Sequence, residues 1–250
     1  AGKRGIYVCN CAGMNAKAVA EQTLLLMLGV VKNVVSGDRA VRDGRQMEVK
    51  MGYMGAGSLK ELADCKVGLI GFGAIGKATA DMLHAFGVTV YYTKRHRLDI
   101  EEEARYQVQY LPMDELLKTC DMLSLHVPVT EETTGMCDRE FFAKCRKGSY
   151  FVNTSRGELV DDDALREALE NGTIVMAGLD TLDHEPVQKS HPMLSWPEET
   201  KEKILFSPHI GGITGSSFGR GYAMIWEDIE KISRGEAPGH IVNQKELNRE

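Results

Sequence analysis

Val67-Gly68-Leu69-Ile70-Gly71-Phe72-Gly73-Ala74-Ile75-Gly76 joins a short apolar run to a turn of the pattern G-x-G-x-x-G. Residues 67–70 read as a strand and residues 77–86 as a helix, so the glycines lie where a strand passes into a helix N-terminus. In that setting Gly71 makes the tight turn, Gly73 lets the backbone approach a pyrophosphate, and Gly76 lets the helix close on the strand. With Ala74 and Ile75 these residues form a predicted phosphate cradle.

Further along the chain, strands are predicted at 88–92, 122–127, 150–153, 174–179 and 204–206, with helices at 113–119, 141–145 and 161–170 between them. Strands alternating with helices through short turns predict an α/β fold, a Rossmann-type doubly wound parallel sheet covered on both faces. On the N-terminal side, residues 15–35 read as one helix that is apolar all round, through Leu24, Leu25, Leu26, Met27, Leu28, Val30 and Val31. Such a helix is buried on both faces, within its own domain or partly against a second subunit. Residues 52–58 read as a flexible connection, Glu101, Glu102 and Glu103 as a solvated face, and 216–234 as a long helix leading to a polar tail.

The 250 residues carry 30 Lys or Arg against 36 Asp or Glu, a net charge of -6, with 43% apolar residues. That is the composition of an ordinary globular chain, without the basic excess that broad nucleic-acid binding needs. Its longest apolar stretch is interrupted by Gly29 and falls short of the roughly 18 residues that cross a bilayer, so no membrane span is expected. Nothing resembles an export signal, which leaves a cytoplasmic address by default. The six cysteines are scattered without zinc-site spacing, so they are expected as reduced thiols and no metal site is expected.

The second strand of a dinucleotide fold ordinarily ends on an acid that holds the ribose hydroxyls. Here it runs into Thr93-Lys94-Arg95-His96-Arg97, with no carboxylate in place. Thr93, Lys94, Arg95 and Arg97 suit a 2′-phosphate, which predicts NADP(H) over NAD(H). Three loops that close later strands carry residues that folding does not require: 152–157 (VNTSRG), 178–186 (GLDTLDHEP) and 207–212 (SPHIGG). The carboxyl ends of the strands form the ligand crevice of such a sheet, so Arg156, Glu185 and His209 can converge there. Taken singly, each also fits an unremarkable surface role.

In their order along the chain, GMNAKAVAEQT, LIGFGAIG, LHVPVTEETTG, VNTSRGELVDDDAL, AGLDTLDHEP and SPHIGGIT closely resemble the D-isomer-specific 2-hydroxyacid dehydrogenase family. The resemblance implies Arg156, Glu185 and His209 as the catalytic trio. It places Ala74, Ile75, Val127, Thr154, Ser155, Asp180, Gly211 and Gly212 around the cofactor, with Thr23 from the first helix and Asp180 toward the nicotinamide carboxamide. His209 suits a general acid for the alkoxide left by hydride transfer, and Glu185 suits a partner for its imidazolium. The planar fork of Arg156 suits a substrate carboxylate in a way that Lys does not. Ala74 stands where a long polar residue is often found, and an acid at position 185 disfavours formate. The resemblance further implies a dinucleotide-binding domain at 13–213 and a C-terminal helix and tail, 214–250, belonging to a substrate domain whose N-terminal part is absent from this chain. It also implies a homodimer and a small 2-oxo or 2-hydroxy acid substrate of glyoxylate or hydroxypyruvate type. An NAD-dependent enzyme for a bulkier acid, or a non-catalytic dinucleotide sensor, are the alternatives.

Overall fold

The computed structural model describes residues 1–247. Strands β1 (Lys66–Ile70), β2 (Thr89–Thr93), β3 (Gln109–Tyr110), β4 (Met122–Leu125), β5 (Ser149–Asn153), β6 (Ile174–Leu179) and β7 (Ile204–Phe206) form one parallel sheet in the order β3-β2-β1-β4-β5-β6-β7. The strand order reverses between β1 and β4, and that switch point opens a crevice beyond the carboxyl ends of the strands. The helices are α1 (Ala16–Val31), α2 (Val34–Arg42), α3 (Gln46–Ala56), α4 (Ala74–Ala85), α5 (Ile100–Tyr106), α6 (Met113–Thr119), α7 (Arg139–Lys144), α8 (Asp162–Glu170), α9 (Glu198–Lys201), α10 (Gly215–Ser233) and α11 (Gln244–Leu247).

Side-chain alternation along the central strands builds a core on each face. Met122, Tyr150 and Val152 join Leu26, Met27 and Val30 of α1 and Leu83 of α4. Leu123, Leu125 and Phe151 point the other way, into Leu116 and Leu117 of α6, Phe141 and Phe142 of α7, and Leu165 and Leu169 of α8. Each fully buried Leu or Phe contributes roughly 1.5–3 kcal/mol, so these two layers hold the sheet. Aspartates cap α5, α7 and α8: Asp99 accepts from the Glu102 amide at 2.7 Å, Asp138 from Phe141 at 2.9 Å and Asp161 from Ala164 at 3.0 Å. By contrast, α4 begins on Gly73, which has no side chain to cap it.

The first residues meet the segment that follows α10. The Val242 amide donates to the Val8 carbonyl at 2.8 Å, and Asp228 on α10 accepts from the Gly239 amide at 2.7 Å and from His240 Nδ1 at 3.1 Å. Residues 11–15, which lead into α1, run beside the start of α10. There Arg220 Nε donates to the Met14 carbonyl at 2.6 Å, and Cys11 Sγ to the Gly221 carbonyl at 3.6 Å. Of the expected segment 214–250, residues 248–250 lie outside the described residues.

Several expectations need correction. The helix expected over 15–35 breaks at Asn33, whose φ is 47°, and α2 leaves at 62° to α1. Most of α1 is buried in its own subunit, while Leu25 is 55% exposed. Residues 52–56 belong to α3 and are not a flexible connection. The helix formers Gln46, Met47, Glu48, Lys50, Met51 and Met54 outweigh Gly52 and Gly55, and Gly57 ends the helix at φ 56°. Glu103 is not solvated: Arg97 grips it in a two-pronged pair at 2.8 Å and 2.8 Å, and the Tyr92 hydroxyl donates to it at 2.7 Å. No single helix among the described residues is long and apolar enough to cross a membrane.

Candidate active site

The crevice has a volume of about 900 Å3, and its walls include Ile75, Val127, Thr154, Ser155, Arg156, Asp180, His209 and Gly212. In the glycine turn that precedes Ile75, Gly71 adopts φ 96° and its amide donates to the Thr93 carbonyl at 2.9 Å, tying the turn to the end of β2. A Cβ on Gly71 would strike the His126 carbonyl, and one on Gly76 would lie 2.8 Å from the Gly71 carbonyl. On Gly73, a Cβ would meet nothing within 4 Å. The middle glycine therefore faces open space beside an uncapped helix N-terminus, where free amides and the helix dipole favour an anion.

The arginine loop is shaped by Asn153, which is fully buried at the end of β5. Its Oδ1 accepts from the Ser155 amide at 2.9 Å, and its Nδ2 donates to the Arg156 carbonyl at 2.8 Å. That local turn projects Arg156 into the crevice, where one guanidinium nitrogen donates to the Ser155 carbonyl at 2.6 Å. Gly157 lies against the backbone of Leu182 and Asp183 so closely that no Cβ fits, which docks the arginine loop on the loop carrying Glu185.

Glu185 holds two partners. Its Oε1 accepts from the Leu182 amide at 3.0 Å and its Oε2 from His209 Nδ1 at 2.5 Å. A carboxylate on Nδ1 fixes the proton there and leaves Nε2 as the nitrogen that can serve a ligand. His209 has φ 56°, an uncommon conformation for a residue with a side chain, and its loop is held by Asp180. Asp180 is 1% exposed, and its carboxylate accepts from Ser207 Oγ at 2.5 Å, the Ile210 amide at 3.1 Å and the Gly211 amide at 2.9 Å. Gln22 of α1 donates to Ser207 Oγ at 2.7 Å, completing the clamp. Asp180 thus spends most of its acceptor capacity on positioning the histidine loop.

Thr23 is fully buried and bonds Thr154 Oγ1 at 2.8 Å, so it supports the crevice wall from behind. Gly211 is likewise buried, its amide committed to Asp180. At the β2 end, Thr93 is buried, Lys94 half-buried, and Arg95 pairs with Glu132. Arg97 is taken by Glu103, whose carboxyl it holds below the usual carboxylate range.

The sequence reading also missed His126, at the end of β4, although it stands inside the quoted LHVPVT motif. Its Nε2 lies 3.0 Å from Ser124 Oγ, while its Nδ1 is buried without a partner in the crevice wall. Burial pushes the imidazole down to about 4. The open space at Gly73, the bare helix end and this orphaned nitrogen all fit a polar, anionic ligand such as a dinucleotide. The signal that could have found Gln22 and Ser207 is weak, because each acts through partners far away in sequence, whereas Asn153 bonds Ser155 and Arg156 inside the quoted VNTSRG loop.

Residues 24–211 match the family model described as D-isomer specific 2-hydroxyacid dehydrogenase, NAD binding domain. The chain is 35% identical over 244 residues to a glyoxylate reductase of Korarchaeum cryptofilum, covering 97% of this chain and 71% of that protein. The apo D-mandelate dehydrogenase of Rhodotorula graminis superposes with a TM-score of 0.88 at 27% identity, covering 96% of this chain and 69% of that one. D-lactate dehydrogenase with NAD+ from Lactobacillus jensenii gives 0.81 at 27% identity, covering 96% and 72%. The chain thus spans about seven tenths of the length of these proteins. As the ordered motifs implied, it belongs to the D-isomer specific 2-hydroxyacid dehydrogenase family, and it is an oxidoreductase that transfers a hydride between a nicotinamide dinucleotide and a 2-oxo or 2-hydroxy acid.

Proposed function

We propose that the protein is an NADP(H)-preferring reductase of a small 2-oxo acid, of glyoxylate or hydroxypyruvate type, with Arg156, Glu185 and His209 as its catalytic residues. The observation that carries this reading is the 2.5 Å contact between His209 and Glu185 in the crevice that also holds Arg156. A bound nicotinamide dinucleotide supplies the hydride. Gly71, Gly73, Ala74, Ile75 and Gly76 would hold its pyrophosphate, and Val127, Thr154, Ser155, Gly211 and Gly212 would flank it. Arg156 grips the substrate carboxylate with two parallel N–H groups and draws electron density from the neighbouring carbonyl. Protonated His209 gives up the proton on Nε2 to the oxygen that becomes a hydroxyl, and Glu185 stabilises the imidazolium before that transfer. In the oxidative direction the same nitrogen takes the proton back.

The NADP(H) preference is supported by the absence of a carboxylate at the end of β2 and by Thr93, Lys94 and Arg95 there. A second reading, an NAD-dependent enzyme for a bulkier acid, is favoured by the commitment of Arg97 to Glu103. Glyoxylate reductases among the relatives support the small acid. Phe218, Tyr222, Ile225, Ile229 and Ile232 form an exposed apolar stripe on α10, which supports its assignment with 214–250 to a substrate domain. The apolar groove of about 460 Å3 between α2 and α3 supports a homodimer. Six free cysteines suit a cytoplasmic location.

The test follows the absorbance of NADPH with a panel of 2-oxo acids and repeats it with NADH. Turnover of a small acid with NADPH, abolished in His209→Ala, is the expected result. Turnover that survives His209→Ala unchanged would remove the histidine from this role, and a clear preference for NADH would overturn the cofactor assignment.

A further inference from the structure

Two loops flank the glycine turn, and a single ion pair joins them. Arg95 follows β2, Glu132 lies in the turn after β4, and β1 runs between those strands. The Arg95–Glu132 pair therefore bridges the loops on either side of the glycine turn, where the β2 strand would meet the adenosine. Glu132 does not hang on a loose loop. Thr133 Oγ1 donates to the Pro128 carbonyl at 2.7 Å and accepts from the Thr130 amide at 2.8 Å, while Thr134 Oγ1 donates to the Thr130 carbonyl at 2.7 Å. These bonds fix the turn and keep the carboxylate aimed across the gap.

The three cations at the β2 end differ in how firmly they are held. Arg97 is locked, since Glu103 is only 12% exposed and is also bonded by the Tyr92 hydroxyl. Among the described residues Lys94 has no carboxylate partner. Arg95 lies between these cases, in a pair whose side chains are 70% and 73% exposed. An exposed ion pair is worth little and is readily exchanged, so a phosphate dianion can draw Arg95 away, at the cost of leaving Glu132 facing the new charge.

We propose that Glu132 is a specificity-determining residue: by holding Arg95 across the adenosine end of the crevice, it competes with the 2′-phosphate of a dinucleotide and lowers the protein's discrimination in favour of the phosphorylated form. This rests on the reading that the β2 end meets the 2′ position. Glu132 acts through Arg95 and touches no reacting atom, so it is a positioning residue.

The experiment measures calorimetric binding of 2′,5′-ADP and of 5′-AMP to the wild type, Glu132→Gln, Glu132→Asp and Arg95→Gln at low and high salt. Glu132→Gln is expected to tighten 2′,5′-ADP about threefold to tenfold at low salt and to leave 5′-AMP within about twofold. Glu132→Asp retains the wild-type ratio, the gain shrinks at high salt, and Glu132→Gln added to Arg95→Gln gains little. No change in the ratio of the two ligands, or an equal change in both, overturns the inference. The wild-type ratio judges the underlying cofactor preference separately: tighter 5′-AMP overturns that preference, while the response to Glu132→Gln still decides the role of Glu132.

Discussion

Replacing His126 by Asn is expected to flatten the acid side of the stability curve. Burial pushes this imidazole down to about 4 from an ordinary value of 6.5. Between those values the unfolded chain binds a proton that the folded chain refuses, so unfolding free energy rises with pH across that window. The contribution is complete above pH 6.5 and is lost as pH falls through about 4. A separation of about 2.5 units at 1.36 kcal/mol each sets a ceiling of about 3.4 kcal/mol. The residue as a whole is half-buried, so a loss of roughly 1–2.5 kcal/mol between about pH 7 and 4.5 is expected from it. Carboxylates titrate over the same range, and the readout is therefore the wild type minus His126→Asn in urea unfolding at several pH values. The variant is expected to gain on the wild type steadily as pH falls, with an unchanged urea slope. A difference constant within about 0.5 kcal/mol across the window would refute a neutral, desolvated His126.

Asp180→Ala strands the Ser207 hydroxyl and the amides of Ile210 and Gly211. Ile210 is exposed and its amide can turn to water, so at about 1–3 kcal/mol for each of the other two unmet buried groups a drop of at least about 2 kcal/mol in unfolding free energy is expected, together with a loss of kcat of about 100-fold or more as the His209 loop loosens. Thermal melts and kinetics check both. Arg156→Lys keeps the charge but loses the fork, so KM for the 2-oxo acid should rise about tenfold or more while dinucleotide affinity measured by calorimetry stays unchanged. Asp162 has its carboxyl raised, chiefly by burial, with Asp183, Asp161 and Asp163 adding to the shift and His191 opposing it. A raised folded value means that ionisation costs stability, so Asp162→Asn is expected to stabilise the fold at neutral pH, with the gain fading as acid protonates the wild-type carboxyl; a gain unchanged at about pH 4 would count against this.

The parallel sheet was readable because its strands are short apolar runs bounded by turn residues, and the 204–206 run matches β7 to the residue. β3 was missed because two residues, Gln109 and Tyr110, carry no periodicity, and α3 because its glycines mask strong helix formers. Arg156, Glu185 and His209 were legible as residues projecting from strand ends. Their supports were not, since Asp180, Gln22 and Ser207 meet across 158 and 185 positions of chain, and only the folded topology brings them together. The commitment of Arg95 to Glu132 was hidden for the same reason, since a partner 37 residues away is invisible in a basic run, while that of Arg97 to Glu103, six residues on, was masked because three successive glutamates read as a solvated face.

The side-by-side passage of residues 11–15 and the start of α10, stitched by Arg220 to Met14 and Cys11 to Gly221, has a mechanical meaning. The two bonds join positions 206 and 210 residues apart in the chain, so displacing one stretch costs the bonds that hold the other. Met14, Ile213 and Phe218, at or beside these stretches, line the same crevice as His209. Their side chains put apolar surface into the cavity that holds the 2.5 Å His209–Glu185 contact, and so limit the water that can reach it.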